Sequence, residues 1–347
     1  MKKLSFINKI VFVINTFFAV LLLLSYILPY VFPRKFPLIS VLSLTVPVFI
    51  IVNAVFILYW LLQLKRQFLL SFLILLVGYK YVGAMYRLSG RSESDEEGIL
   101  KLMTYNVRIF NAYDWLKDED VPGKIISLVE KESPDVLCVQ EFYHEQEDAF
   151  NKNYPYQFIK YTTKNNRTGQ AIFSRYPIVA RGSLEFPKTG NNALYADIVK
   201  GKDTVRIYNL HLESLHIVPS KEHIIVEDPE VLYKRMGKAF ALQHDQVEIF
   251  DAHRKACKYK IIVTGDFNNT AYSYVYKRIR GEMKDTFIEE GSGFGRSYDF
   301  DYFPLRIDFI LTDPDIEILA HKNYEDRLSD HYPVMATLKL PGSGEEE

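Results

Sequence analysis

The chain has 347 residues, 48% hydrophobic and 24% charged, with a formal net charge of −1 and only two cysteines. Such a length leaves room for two units, and a single pair, Cys138 and Cys257, excludes a disulfide framework and a cysteine-based zinc site. Charge is divided unevenly: residues 1–97 hold ten Lys/Arg and four Asp/Glu, a net of +6, and the rest hold 32 and 39, a net of −7. An acidic second part argues against a protein that grips long nucleic acid through its phosphates, and it suits a cluster of metal-binding carboxylates.

Residues 1–88 read as a membrane region of three spans. The segments 7–28, 38–62 and 68–86 carry one charge (Lys9), none, and one (Lys80), and about 20 apolar residues suffice to cross a bilayer. The first is too long for a signal peptide, lacks a small-residue cleavage site and is followed by two more such segments. Pro47 is expected to kink the second span and Lys80 to reach toward the interface. Asn15 and Asn53 are expected to hydrogen-bond between helices. Lys2, Lys3, Lys9, Lys65 and Arg66 flank one side, and Arg34, Lys35, Arg87 and Arg91 the other, with Lys80 evening the count. The bias of the first helix then places the N-terminus in the cytoplasm and everything after the third span outside. "SGRSESDEEG", residues 89–98, is polar and charged and reads as a linker.

A globular domain follows over 99–341, ending in the acidic tail 342–347. "ILKLMTYNVRIF" is strand-like, "GKIISLVEKESP" has helical spacing and stops at Pro134, and "DVLCVQEF" is a strand that buries Cys138. "QAIFSRYPIVA" is a strand, "ALYADIVKGKDTVRIYNLHLES" a hairpin, and 229–256 a helix. The strand "IIVTGDFNNT" comes next, and "RIDFILT" and "VMATLKL" close the domain. Strands with helices between them imply an α/β sandwich of two sheets packed face to face, with helices outside.

Gly-Asp-x-Asn alone is an ordinary turn. Here it is one of six strand ends bearing polar groups: Asn106 and Arg108, Gln140 and Glu141, His211, Asp266 and Asn268, Asp308, and Asp330 with His331. Buried singly, each would be costly, so each needs a partner or a ligand. Glu141 and Asn106, with either Asp266 or Asp330, offer hard oxygen ligands suited to Mg²⁺ or Mn²⁺. His331 with a carboxylate can deprotonate water, Asp308 can orient the imidazole, and His211 can protonate a leaving oxygen. Asn268, Asn106 and Arg108 can hold phosphate oxygens. Such a site would perform metal-assisted in-line attack of water on a phosphorus ester.

The order TYNVR, VQEF, GQAIFSRYPI, NLHLES, GDFNN, RIDFIL, SDHYPV resembles the endonuclease/exonuclease/phosphatase superfamily over roughly residues 99–340. That superfamily includes pancreatic-type deoxyribonucleases, apurinic endonucleases, neutral sphingomyelinases and inositol-polyphosphate 5-phosphatases. The resemblance implies a four-layered α/β sandwich, two mixed sheets flanked by helices. It implies Glu141 as the principal Mg²⁺ ligand, with Asn106 helping to bind metal and phosphate and Asp330 as the acidic partner beside the Asp308–His331 pair. It further implies Asp266 and Asn268 as the pair that positions water and phosphate, and His211 as the second histidine of the deoxyribonuclease and sphingomyelinase branches. A three-span leader also resembles bacterial membrane-attached relatives, which implies a multi-pass protein of the inner membrane. One departure stands out: the deoxyribonuclease branch supports the second histidine with an acidic residue from the segment that here reads "NRTGQAIF", and no carboxylate lies there.

The expected function is therefore a membrane-anchored phosphodiesterase or phosphatase acting on a phospholipid or small phosphoester. An extracytoplasmic endonuclease is the rival within the same chemistry, and a non-catalytic binding module the rival outside it. A lapsed enzyme should have lost one of Glu141, Asp266, Asn268, Asp308 or His331, and all are present. Membrane lipid is the favoured partner, long nucleic acid a weaker one, and no protein partner follows from the sequence. Specificity is expected in the loops 214–230 and 282–303. "HIVPSKEHIIVEDPEVLY", which mixes apolar and acidic residues, has the composition of a lid or lipid-facing loop.

Overall fold

The computed structural model describes residues 4–94, 98–117, 120–162, 167–215, 228–301 and 303–342. The segment 216–227 of the expected lid and residues 343–347 of the acidic tail lie outside them.

Two of the apolar segments form helical runs long and apolar enough to cross a membrane, Phe6–Tyr30 and Pro37–Leu62. The first is built on α1 (Phe6–Ser25) and the second on α2 (Pro37–Val41) and α3 (Val46–Leu62). A 3₁₀ turn, Leu42–Thr45, separates α2 from α3. Pro47 sits in the first turn of α3, where a missing N–H leaves no helical bond unmade. The third segment is not one straight helix: α4 (Phe68–Val77) and α5 (Tyr79–Met85) meet at 81°. The break falls at Gly78, where a Cβ would lie 2.0 Å from the Tyr26 hydroxyl oxygen, and that hydroxyl donates to the Ile74 carbonyl at 2.9 Å.

Polar side chains knit these helices together. Asn15 donates to Ser71 Oγ at 2.6 Å and accepts from Trp60 Nε1 at 2.9 Å. Ser71 donates in turn to Asn53 Oδ1 at 2.8 Å. Interhelical bonds of this kind hold apolar helices in lipid, where apolar contact alone discriminates poorly.

In the globular part β1 (Leu100–Asn106) opens a sheet with β2 (Val136–Tyr143), β3 (Tyr156–Tyr161), β4 (Thr168–Ser174), β11 (Glu317–Asn323) and β12 (Val334–Lys339), in the order β11-β12-β1-β2-β4-β3. The other sheet holds β5 (Ile178–Ser183), β6 (Asn192–Lys200), β7 (Asp203–His211), β8 (Lys260–Asp266), β9 (Lys284–Asp285) and β10 (Asp308–Thr312), in the order β5-β6-β7-β8-β10-β9. Each sheet has one parallel pair, β1 with β2 and β7 with β8, among antiparallel neighbours. Leu102, Cys138, Ile172, Ile207, Ile262 and Ile310 fill the space between the sheets. Outside the first sheet, α6 (Val121–Glu132) buries Ile125 and Val129 against Met103 and Leu137. Outside the second, α7 (Pro229–Lys255) and α8 (Tyr274–Arg280) bury Val247, Phe250, Val275 and Ile279 against Val263 and Phe309. The result is helix, sheet, sheet, helix, the expected four-layered sandwich.

The apolar region is seated on this sandwich. Val41 of α2 packs with Leu215, Ala239 and Phe240, and Tyr233 donates to the Leu38 carbonyl at 2.6 Å. From α5, the Tyr81 carbonyl accepts from Tyr272 at 3.2 Å and the Ala84 carbonyl from Arg306 at 3.3 Å. The chain after α5 is also bound: Arg87 and Gly293 exchange backbone hydrogen bonds at 2.9 Å, and in the expected linker Arg91 pairs with Glu290 at 3.0 Å.

Candidate active site

Both parallel pairs end at one rim of the sandwich, and β10 and β12 begin there. Cross-strand partners at that rim are Asn106 with Gln140, His211 with Asp266, and Asp266 with Asp308. Asp266 Oδ2 accepts from Asn106 Nδ2 at 3.1 Å and from Asn268 Nδ2 at 3.0 Å. The same Asn106 nitrogen lies 3.2 Å from Glu141 Oε1. His211 Nε2 is 3.7 Å from Asp266 and 3.9 Å from Glu141. His331 Nε2 faces Asp266 at 3.7 Å, while its Nδ1 bonds Asp308 Oδ2 at 2.9 Å. One carboxylate, Asp266, thus stands between two imidazoles and two carboxamides. Arg108 and Asp330 lie beside this group, paired with each other at 3.3 Å.

Local backbone explains how the side chains reach the rim. Gly265 has φ +123, and a Cβ there would meet the Leu210 carbonyl oxygen at 2.0 Å, so only glycine lets β8 lie this close to β7. After it, Asp266 Oδ1 accepts the Asn268 N–H at 2.7 Å, an Asx turn that holds Asn268 at φ +48. Glu141 sits at φ +52 where the β2–β4 register shifts between Val139 and Phe142. Such a bulge re-aims a side chain, and here it presents Glu141 to the cleft. Asn209 supports the bulge from the opposite sheet, donating to the Val139 and Ala171 carbonyls at 3.0 Å each and accepting from Gln140 at 2.6 Å. Arg108 through Asn111 all have positive φ, a left-handed turn costly for L-residues. It is braced by two 2.9 Å bonds between the Asn111 side chain and the Leu116 backbone. Its first residue, Arg108, lies over the Trp115 ring at 4.2 Å.

Burial and charge set the protonation states. Burial holds the His211 imidazole down at about 3, with His331 adding to the effect, so His211 is neutral across the physiological range. Burial works against charge on His331 too, but Asp308 and Asp266 outweigh it and raise the group well above an ordinary histidine. Asp266 is raised by burial and by Asp308, with His331 pulling the other way. Burial and the neighbouring Asp330 raise Glu141.

Residues 103–331 match the Endonuclease/Exonuclease/phosphatase family. The chain belongs to that family. Residues 8–85 match a second family, described as a domain of unknown function (DUF8431). No curated protein matches the chain. Among solved structures, the endonuclease/exonuclease/phosphatase from Bacteroides vulgatus is 19% identical, with a TM-score of 0.54 over 70% of this chain and 99% of that one. A humanized D. rerio TDP2 is 17% identical, with a TM-score of 0.54 over 70% and 100%. The human Nocturnin catalytic domain, with a bound sulfate anion, is 16% identical, with a TM-score of 0.53 over 72% and 97%. At these identities the likeness shows the fold. The family is one of phosphoester hydrolases and nucleases, typically metal-dependent.

The residues at the rim fit a hard divalent cation of the kind the family uses. Asp266, Asp308 and His331 place ligand atoms within 4.8 Å of one another, and Asp308 Oδ1 is buried without a hydrogen-bond partner. Glu141 keeps 35% of its side chain exposed, whereas Asp266 keeps 1%, so Glu141 is the more accessible of the two carboxylates. Asn106 presents its nitrogen to the two carboxylates, because its oxygen accepts the Arg108 N–H at 3.1 Å. Asp330 is engaged by Arg108.

Tyr298 sets its ring against His331 at 4.9 Å. Two further residues near the site escaped sequence reasoning. Gln243 on α7 donates to the Asn268 and Glu213 carbonyls at 3.1 and 2.7 Å and accepts from Asn269 at 2.7 Å. A glutamine on the buried face of a helix was the available signal. Asn209 was visible as an amide inside an otherwise apolar strand, which needs a partner if buried.

Proposed function

We propose that the chain is a membrane-anchored, divalent-metal-dependent phosphoesterase that hydrolyses a phosphorus ester by in-line attack of water. The observation that carries this reading is the convergence of Asn106, Glu141, His211, Asp266, Asn268, Asp308 and His331 at one rim. Glu141 would hold the ion, with Asn106 bridging it to Asp266 and Asp330 adding negative charge beside them. A bound Mg²⁺ or Mn²⁺ supplies Lewis-acid polarisation of the phosphoryl group.

The chain's own groups divide the remaining work. Asp266, raised above the usual carboxylate range, is suited to accept the proton of the attacking water. His331, expected from sequence to be that base, bonds Asp308 through Nδ1 and faces Asp266 through Nε2; these two carboxylates favour its cation, a form suited to stabilise charge building on the phosphate. Neutral His211 donates a hydrogen bond to a phosphate or leaving oxygen. Asn268 fixes the Asp266 carboxylate, and Arg108 binds a non-bridging oxygen from its place over Trp115.

Anchoring rests on the two helices long and apolar enough to span. We place the globular domain on the side opposite the N-terminus, because the loop after α1 touches it: Phe32 packs against Tyr274 at 5.4 Å. With a basic N-terminus in the cytoplasm, the domain is extracytoplasmic.

The test uses the full chain in detergent with bis(p-nitrophenyl) phosphate. Turnover is expected to vanish in excess EDTA, return with Mg²⁺ or Mn²⁺, and fall at least about a hundredfold in Glu141→Ala and Asp266→Asn. Undiminished turnover in EDTA would refute the metal. Full activity of Glu141→Ala would refute the site.

A further inference from the structure

A cavity of about 250 Å³ adjoins the site, and its wall is nearly all apolar. Two of its lining residues, Asn268 and Tyr298, belong to the rim already described, the first bonded to Asp266 and the second against His331. Leu215, Phe300, Phe303, Leu305 and Ile307 continue it away from the rim. Ser214 and Asn269 add polar groups from the sandwich, and the rest of the wall comes from outside it: Leu44 and Thr45 of the 3₁₀ turn, and Val48 in the first turn of α3.

An apolar cavity in that position needs an apolar occupant that also reaches the phosphate. Water gains little there, because few polar partners are offered, and a sugar phosphate has little apolar surface to bury in it. A lipid does: its phosphate meets Asn268 and the histidines while the start of its chain lies along Leu305, Phe303 and Val48. The same wall includes part of the run Pro37–Leu62, which is long and apolar enough to span a membrane, so one side of the cavity is built by the apolar region itself. We propose that this cavity binds the proximal part of the hydrocarbon chain of a lipid-borne phosphoester, and that the N-terminal apolar region therefore forms part of the substrate site. The proposal rests on the phosphoesterase reading above and names its substrate class.

The test compares two phosphodiesters with one leaving group, p-nitrophenyl methyl phosphate and p-nitrophenyl hexadecyl phosphate, on the full chain in the same detergent micelles with Mg²⁺. Each methylene moved from water to an apolar wall is worth about fourfold in affinity, so even a few buried methylenes make the hexadecyl ester at least about tenfold better in kcat/KM. Detergent partitioning also favours the longer ester, so the decisive reading is the change in that ratio on filling the cavity. Val48→Trp from the membrane side and Leu305→Trp from the sandwich side are expected to lower the ratio at least about fivefold. Continued turnover of the methyl ester serves as the control for folding, and the two variants, on different elements, guard against one misfolding. A ratio unchanged in both variants, with methyl ester turnover intact, overturns the cavity proposal and leaves the phosphoesterase standing. Turnover of neither ester by the wild-type chain overturns the phosphoesterase reading, and the cavity proposal with it.

Discussion

Replacing Asn209 with alanine is expected to damage catalysis from beneath the site without touching it. The residue is fully buried. Its side chain makes three hydrogen bonds across the sandwich, two at 3.0 Å to the Val139 and Ala171 carbonyls and one at 2.6 Å from Gln140. At about 1 kcal/mol net per bond the loss is about 3 kcal/mol, and more if a buried group stays unpaired. A domain of this kind has about 5–15 kcal/mol in all, so the variant folds but is weakened. Val139 lies at the register shift that aims Glu141, so relaxation there moves the carboxylate. A misplacement of about 1 Å can cost about a hundredfold in rate, and kcat/KM on bis(p-nitrophenyl) phosphate is expected to fall about 10- to 100-fold. Stability is read by pulse proteolysis of the detergent-solubilised chain across a urea series, and activity at a urea-free temperature where the variant is folded. A stability loss below about 1 kcal/mol together with unchanged kcat/KM would refute the role of Asn209.

Arg306→Met is expected to cost about 3–5 kcal/mol, because it strands Asp285, its buried partner at 2.8 Å, and adding Asp285→Asn should recover part of that loss in the same proteolysis assay. Burial opposes the charge on Asp285, but Arg306 prevails and holds its carboxyl below the usual range. The pair's contribution is therefore present above about pH 3.9, the unfolded value, and lost as pH falls through the lower folded one. In Arg306→Met the stranded carboxyl takes up a proton on acidification, so the gap to wild type should narrow toward about pH 4; a gap that widens contradicts the assignment. A C-terminal alkaline phosphatase fusion should be active and a cytoplasm-dependent reporter fusion silent; the reverse pattern would invert the orientation.

What was legible in the sequence was whatever depends on near neighbours. The run of β-branched residues in "IIVTGD" gives strand β8, and the Gly-Asp-x-Asn that follows gives the turn that brings Asn268 back to Asp266. The order of motifs gives the family and thereby the sandwich. What was not legible depends on partners distant in the chain. The bend at Gly78 exists because Tyr26, on another helix, occupies the space beside it. The third apolar segment alone reads as an uninterrupted span. Glu141 looks like any residue in a β-strand; its positive φ follows from a register shift against β4, and the support for that shift comes from Asn209 on the opposite sheet. Tyr298 sits in a glycine-rich stretch where turn chemistry dominates, and nothing local tells that His331 packs against its ring.

The same distinction bears on how the domain relates to the N-terminal apolar helices. A polar linker implies a tether, whose only effect on function is to raise the local concentration of membrane substrates. The contacts describe a different relation. α2 packs into Ala239 and Phe240 of α7, Arg34 pairs with Asp245 of the same helix, and α5 offers two backbone carbonyls to Tyr272 and Arg306. Arg306 also lies between Phe287 and Phe309 at 4.6 Å from each ring, and Phe309 follows Asp308, the partner of His331. A residue that contacts α5 on one side and β10 on the other leaves little freedom for the domain to swing. A seated domain meets substrate in one orientation only, set by α2 and α5. Cutting the chain after Arg91 would then remove a wall of the cavity and an acceptor of Arg306 along with the apolar helices. A tether predicts that such a fragment keeps its rate on soluble esters and its stability; a seat predicts that it loses stability through Arg306.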